Sequence, residues 1–143
     1  MESRIEVARG RFHNGYNCSQ TVMCTYCDLL NLSPEDGYRM SEGFGGGIAQ
    51  TRGICGTVTA LVMLAGLKRS DALPGKGVTK MDTYALIQPM LKEFEEQNGS
   101  LLCSELKGLT GGPVLRDCKA CVADAAALAE KYIFPDLFQG DEA

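Results

Sequence analysis

Apolar residues recur at intervals of three and four along most of the chain, and no stretch alternates apolar and polar positions long enough to make a strand. The pattern predicts an all-α fold, a compact bundle of about five to six helices around a central apolar one. Ile5, Ala8 and Phe12 share a face of a first helix over residues 3–13, which stops at Asn14-Gly15. A second helix, residues 17–31, gathers Cys18, Val22, Tyr26, Leu29 and Leu30 on an inward arc and sets Gln20, Thr21 and Asp28 opposite. Ser33-Pro34-Glu35-Asp36 then opens a short helix with a capping hydroxyl, a proline fit for the first turn and two acids that complement the dipole. This helix ends before Gly43.

The run GICGTVTALVMLAGL, residues 53–67, carries no charge and is apolar on every side, so it is expected at the centre with Cys55 at its start. It is shorter than the ~20 residues that cross a bilayer. Gly56, Thr59, Ala60 and Gly66 let neighbours approach it. Residues 67–77 form a polar connection, the segment expected to be most mobile. Thr79 is placed to cap the next helix, which carries Met81, Leu86, Leu91 and Phe94 to Asn98-Gly99, with a kink or break predicted at Pro89. A short turn follows at residues 102–107, and Asp117 caps a last helix to about Ile133 whose inward face holds Cys118, Cys121, Val122, Ala125, Ala129 and Tyr132. FPDLFQGDEA reads as a loosely held tail. No repeat and no second set of elements appears, so residues 1–143 are read as one domain.

Charge and composition narrow the function. A net charge of −4 without a block of like charges speaks against nucleic acid and acidic membranes as partners. The amino-terminal residues lack the apolar core of a secretory signal, which points to a cytoplasmic protein without membrane insertion. Seven cysteines, an odd number, then argue for thiols that do chemistry or hold a metal rather than for a disulfide framework, against the plainer alternative that they only pack.

Their positions sharpen this. Cys18, Cys55, Cys103 and Cys118 each fall in the first turn of a predicted helix, where unpaired N–H groups and the dipole stabilise a thiolate. Cys118-Lys119-Ala120-Cys121 is a C-x-x-C at a helix start, so Cys118 is a candidate attacking sulfur and Cys121 a resolving one. Cys24 and Cys27 lie within a helix and are expected to pack. The glycine-rich GFGGG, residues 43–47, provides either a tight connection or close backbone approach to a ligand. Gly45, Gly46, Gly47 and Gly56 are its candidate cofactor-binding positions, although no Gly-Lys-Ser/Thr follows to make a phosphate loop. The one histidine, His13, is expected to decorate the first helix, which leaves no Ser-His-Asp or Cys-His hydrolase and no haem attachment motif. Zinc fingers and ribbons need their cysteine pairs closer in sequence than these.

Gly15-Tyr16-Asn17-Cys18-Ser19-Gln20, the GFGGGI segment, Cys55-Gly56, the stretch Leu102-Cys103-Ser104-Glu105-Leu106-Lys107-Gly108 and Cys118 four residues before Val122 together resemble the C_GCAxxG_C_C family of redox-active proteins. The resemblance spans nearly the whole chain. It departs in the central motif, where Thr57 stands for the family's alanine and Ala60 for its second glycine, and Cys24, Cys27 and Cys121 lie outside the four-cysteine set. The resemblance implies a small helical redox protein, often encoded near transporters. Two chemistries suit Cys18, Cys55, Cys103 and Cys118 as ligands or reactants: an iron–sulfur cluster or another soft thiolate-bound metal, or a dithiol–disulfide cycle at Cys55, Cys118 and Cys121. A metal or sulfur carrier serving a transporter, or a structural zinc protein, is the competing class. The redox partner is not legible, and a homodimer would need an apolar face left exposed.

Overall fold

The computed structural model describes residues 1–138, and among them the chain is helical with no strand. Its elements are α1 (Ile5–Arg11), α2 (Cys18–Tyr26), α3 (Pro34–Ser41), α4 (Gly56–Arg69), α5 (Lys80–Asn98), α6 (Cys103–Leu106), α7 (Cys118–Leu128) and α8 (Pro135–Phe138). No helix among the described residues is long and apolar enough to cross a membrane.

The centre is shared by α2 and α4, which pack on each other and on α7. Contrary to the pattern reading, α2 is the more completely enclosed: Gln20, Thr21 and Thr25 are buried along with its apolar residues, whereas α4 leaves Val62 and Leu67 exposed. Local hydrogen bonds make this burial tolerable. The Thr21 hydroxyl donates to the Asn17 carbonyl and that of Thr25 to the Thr21 carbonyl, both at 2.7 Å. Gln20 closes a capping box with Asn17 and donates onward to the Tyr38 carbonyl. A helical wheel scores these residues as polar, but it cannot register that each finds a partner within a turn or two.

Ser33 and Asp117 cap α3 and α7 as expected, accepting from the Asp36 and Ala120 amides. Thr79 does not cap α5 with its side chain, and its hydroxyl accepts from the Asp71 amide instead. Pro89 does not break α5, because Ala85, whose carbonyl loses its donor, lies on the exposed side where water replaces it.

The last predicted helix ends early. α7 gives way at Ala129–Ile133 to a π-helical turn, and residues 134–138 are not a loose tail. Phe134 and Phe138 are buried against the Tyr26 ring, with centroids 5.7 and 6.1 Å away. The rest of the expected tail, residues 139–143, lies outside the described residues. The π turn carries Glu130 into the core, where one carboxylate oxygen accepts from the Ser3 hydroxyl, the Arg4 amide and the Tyr26 hydroxyl. Burial and this carboxylate raise the Tyr26 phenol above its ordinary range.

Between α3 and α4 the backbone winds left-handed. Gly46, Gly47, Ile48, Ala49 and Gln50 follow one another at φ of 64, 70, 67, 49 and 63°, and Arg52 repeats the conformation at 67°. Bonds from the Gln50, Arg52 and Gly53 amides back to the carbonyls of Gly45, Gly46 and Gly47 close the turn. Each residue with a Cβ held there costs about 1–2 kcal/mol. Ala49 is exposed, so Ala49→Gly relieves that cost without removing packing. The expected result is a gain of about 1 kcal/mol, read in urea as a higher midpoint at constant slope.

Candidate functional site

The strained turn, the start of α4, and the first residues of α2, α6 and α7 converge on one cavity of about 410 Å³. Five cysteines stand on its wall: Cys18, Cys55, Cys103, Cys118 and Cys121. All seven thiols of the protein are free.

Local structure sets each one. Asn17 caps α2 so that Cys18 is its first residue, and Asp117 does the same for Cys118 on α7, with Cys121 one turn further in. Cys55 occupies the N-cap position of α4. Cys103 is brought beside it by an isolated antiparallel bridge between Ile54 and Leu102, in which the Cys55 amide donates to the Leu101 carbonyl and the Cys103 amide to that of Gly53, at 2.8 and 2.7 Å. Two cysteines far apart in sequence thus flank one short pairing.

The glycines divide. Of the four candidate glycines, Gly46 and Gly56 line the cavity and Gly45 and Gly47 do not. A Cβ on Gly45 would stand 2.6 Å from Asn17 Nδ2, and one on Gly47 would stand 2.8 Å from Cys103 Cβ. Both admit close approach of the protein to itself. Gly56 has the same duty besides lining the cavity, since its Cβ would fall 2.5 Å from Cys18 Sγ. That contact explains why glycine follows Cys55.

Electrostatics separates the sulfurs. The expectation that every helix start favours a thiolate holds for Cys55. A hydrogen bond from Cys121 lowers its pKa most, the Thr57 hydroxyl 3.1 Å away and the Thr57 and Val58 amides add to this, and together they outweigh burial. Cys121 is raised correspondingly, by that bond to Cys55 first and then by burial. The Cys121 thiol also donates to the Arg116 carbonyl, 3.9 Å away. Cys18 and Cys118 go the other way. Burial raises both, beyond what the Gly46 amide offsets at Cys18 and Lys107 at Cys118, and the neighbouring thiols push in the same direction. A helix end does not compensate a sulfur that has lost its water.

Cys24 and Cys27 lie outside the cavity and are buried, their thiols directed at the carbonyls of Pro34 and Ser33. His13 stands just beyond the end of α1 on the cavity rim, its ring 3.8 Å from that of Phe12. Sequence reasoning missed Arg52, Lys107 and Arg116, which also line the cavity. It also missed the role of Thr57, although its replacement of the family's alanine was visible.

The fit to a metal is poor. Among the described residues no group of three or more His, Cys, Asp or Glu side chains is arranged to hold a metal ion.

No curated protein and no solved structure matches the chain. Residues 16–132 do match a family described as "Putative redox-active protein (C_GCAxxG_C_C)". That span takes in all five cavity cysteines and most of the chain, and the protein belongs to the C_GCAxxG_C_C family.

Proposed function

We propose that this is a dithiol–disulfide redox protein in which Cys55 attacks and Cys121 resolves. The observation that carries the reading is that Cys55, at the start of α4, and Cys121, on α7, line one cavity that a small molecule can enter, where each sulfur is the first cause of the other's shift, Cys55 downward and Cys121 upward. A thiolate needs donors, and the Thr57 hydroxyl stands 3.1 Å from Cys55 Sγ, with the Cys121 thiol and the amides of the first turn of α4 also lowering its pKa. A resolving thiol needs proximity to the same sulfur, and Cys121 has it. The C-x-x-C spacing had made Cys118 the attacking sulfur; in this proposal Cys118, half-buried and raised, is the thiol that exchanges with the Cys55–Cys121 disulfide from the cavity side. Free thiols of this kind suit a reducing compartment, and a cytoplasmic location is part of the proposal.

Cys18, Cys55, Cys103 and Cys118 are not arranged to hold a single metal ion among the described residues. No step is assigned to one.

Disulfide mapping tests the proposal. After reduction, one equivalent of diamide and tryptic digestion, the expected product is a peptide pair joined through Cys55 and Cys121. Cleavage after Lys119 separates Cys118 from Cys121, so the two outcomes are distinct in mass. Recovery of Cys55 as a free thiol from fully oxidised protein would remove it from the reaction.

A further inference from the structure

The cavity's charge is at odds with that of the chain. The protein carries 18 acidic residues against 14 basic ones. Yet the described residues that line the cavity include Arg52, Lys107 and Arg116 and no carboxylate. Asp124 answers Arg116 through two bonds of 3.0 and 3.2 Å. The other two cations are not so matched. Lys107 has no ion pair among the described residues, and Arg52 directs its Nη1 at Cys103 Sγ, 3.7 Å away. Phe12 and Tyr16 add apolar surface to the wall.

Size and depth constrain the reactant further. At about 410 Å³ the cavity is in the range of small-molecule sites. Cys55 and Cys121 are only 8 % and 2 % exposed, so a reacting sulfur must come to them inside it. A disulfide borne on a folded protein surface does not reach that far without opening the wall.

We propose that the substrate is a small disulfide whose ends carry carboxylates, its S–S bond against Cys55 and its carboxylates met by Lys107 and Arg52; this rests on the dithiol–disulfide reading above. The Cys55 thiolate attacks one substrate sulfur, forming a mixed disulfide and breaking the substrate S–S bond. The thiolate that leaves takes the Cys121 proton. Cys121 then attacks the Cys55 sulfur, breaking the mixed disulfide and releasing the second half of the substrate as a thiolate. Two electrons pass from the cysteine pair to the substrate, the substrate disulfide becomes one thiol and one thiolate, and Cys55–Cys121 becomes a disulfide. Lys107 and Arg52 serve recognition by drawing a dianion towards the cavity.

The test uses the reduced full chain, mixed anaerobically with 3,3′-dithiodipropionate, bis(2-hydroxyethyl) disulfide or cystamine, which are dianionic, neutral and dicationic. Formation of the Cys55–Cys121 bond is followed by acid quench and mass. The expected result is that the dianion reacts at least about tenfold faster than the dication, an advantage that shrinks with added salt. Lys107→Glu, a change at an exposed position, is expected to cut the ratio of dianion to dication rates about tenfold. Equal rates, or a faster dication, would overturn the anionic substrate and leave the redox reading intact. If none of the three oxidises the pair while diamide does, the substrate is not a small disulfide. If diamide also fails, the redox reading falls and this proposal falls with it.

Discussion

Replacing Cys55 with serine is expected to abolish the fast phase of iodoacetamide alkylation at neutral pH and to prevent disulfide formation at Cys121. Only the thiolate reacts. In the native protein Cys55 has a depressed pKa, so its rate is already on its plateau near neutrality and is lost as the pH falls through that value. Cys18, Cys24, Cys27, Cys118 and Cys121 are all raised, so their alkylation begins only at higher pH. Removing Cys55 leaves those five sulfurs with slow, alkaline-shifted reactivity. Cys121→Ala gives a graded version, because it deletes the strongest donor to Cys55 and moves the profile upward. At pH 7 an unperturbed thiol is only a few per cent ionised, so the rate there falls severalfold or more. The fold should survive the serine. Cys55 is an N-cap residue whose side chain makes no capping bond, and serine is among the better caps. A Cys55→Ser protein that keeps both its stability and its fast alkylation phase would disprove the assignment.

Glu130→Ala is expected to destabilise the protein more than any other single polar truncation, by roughly 3 kcal/mol. The Glu130 carboxylate ties the amino-terminal Ser3 and Arg4 to the π turn and accepts the hydroxyl of the fully buried Tyr26. Truncation leaves that hydroxyl with only the Ala126 carbonyl at 3.3 Å, and the Arg4 amide with no acceptor. Glu130→Gln keeps an acceptor oxygen in place and should cost about 1 kcal/mol, the charge-assisted part of the bonds. Denaturant midpoints measure both. Equal losses in the two variants would show that the charge, not the acceptor, matters, and no loss in Ala would show that the cluster is not structural.

How much of this was legible beforehand depends on the range of the interaction. Ser33 and Asp117 were readable as caps because a cap bonds within three residues of itself. The first-turn positions of Cys18, Cys55, Cys103 and Cys118 followed from those starts. Thr79 misled because its hydroxyl had an alternative partner at Asp71. The tail misled because Phe134 and Phe138 find their site on Tyr26, a residue from the other end of the chain. Gly45 and Gly47 were recognisable as positions of close approach, but whether to a ligand or to Asn17 and Cys103 was not.

The sequence by itself determined the all-helical class, the Ser33 and Asp117 caps and which sulfurs stand at helix starts, since each depends on neighbours a turn away. Only the tertiary structure decided which sulfur has its pKa lowered. A helix start offers Cys18, Cys55 and Cys118 similar amides, but burial withdraws water from all of them, and the sign of the balance turns on donors delivered from elsewhere in the chain. Cys55 has Cys121, distant in sequence, as the first cause of its lowered pKa, whereas burial dominates at Cys18 and Cys118, so the local motif alone does not set the direction.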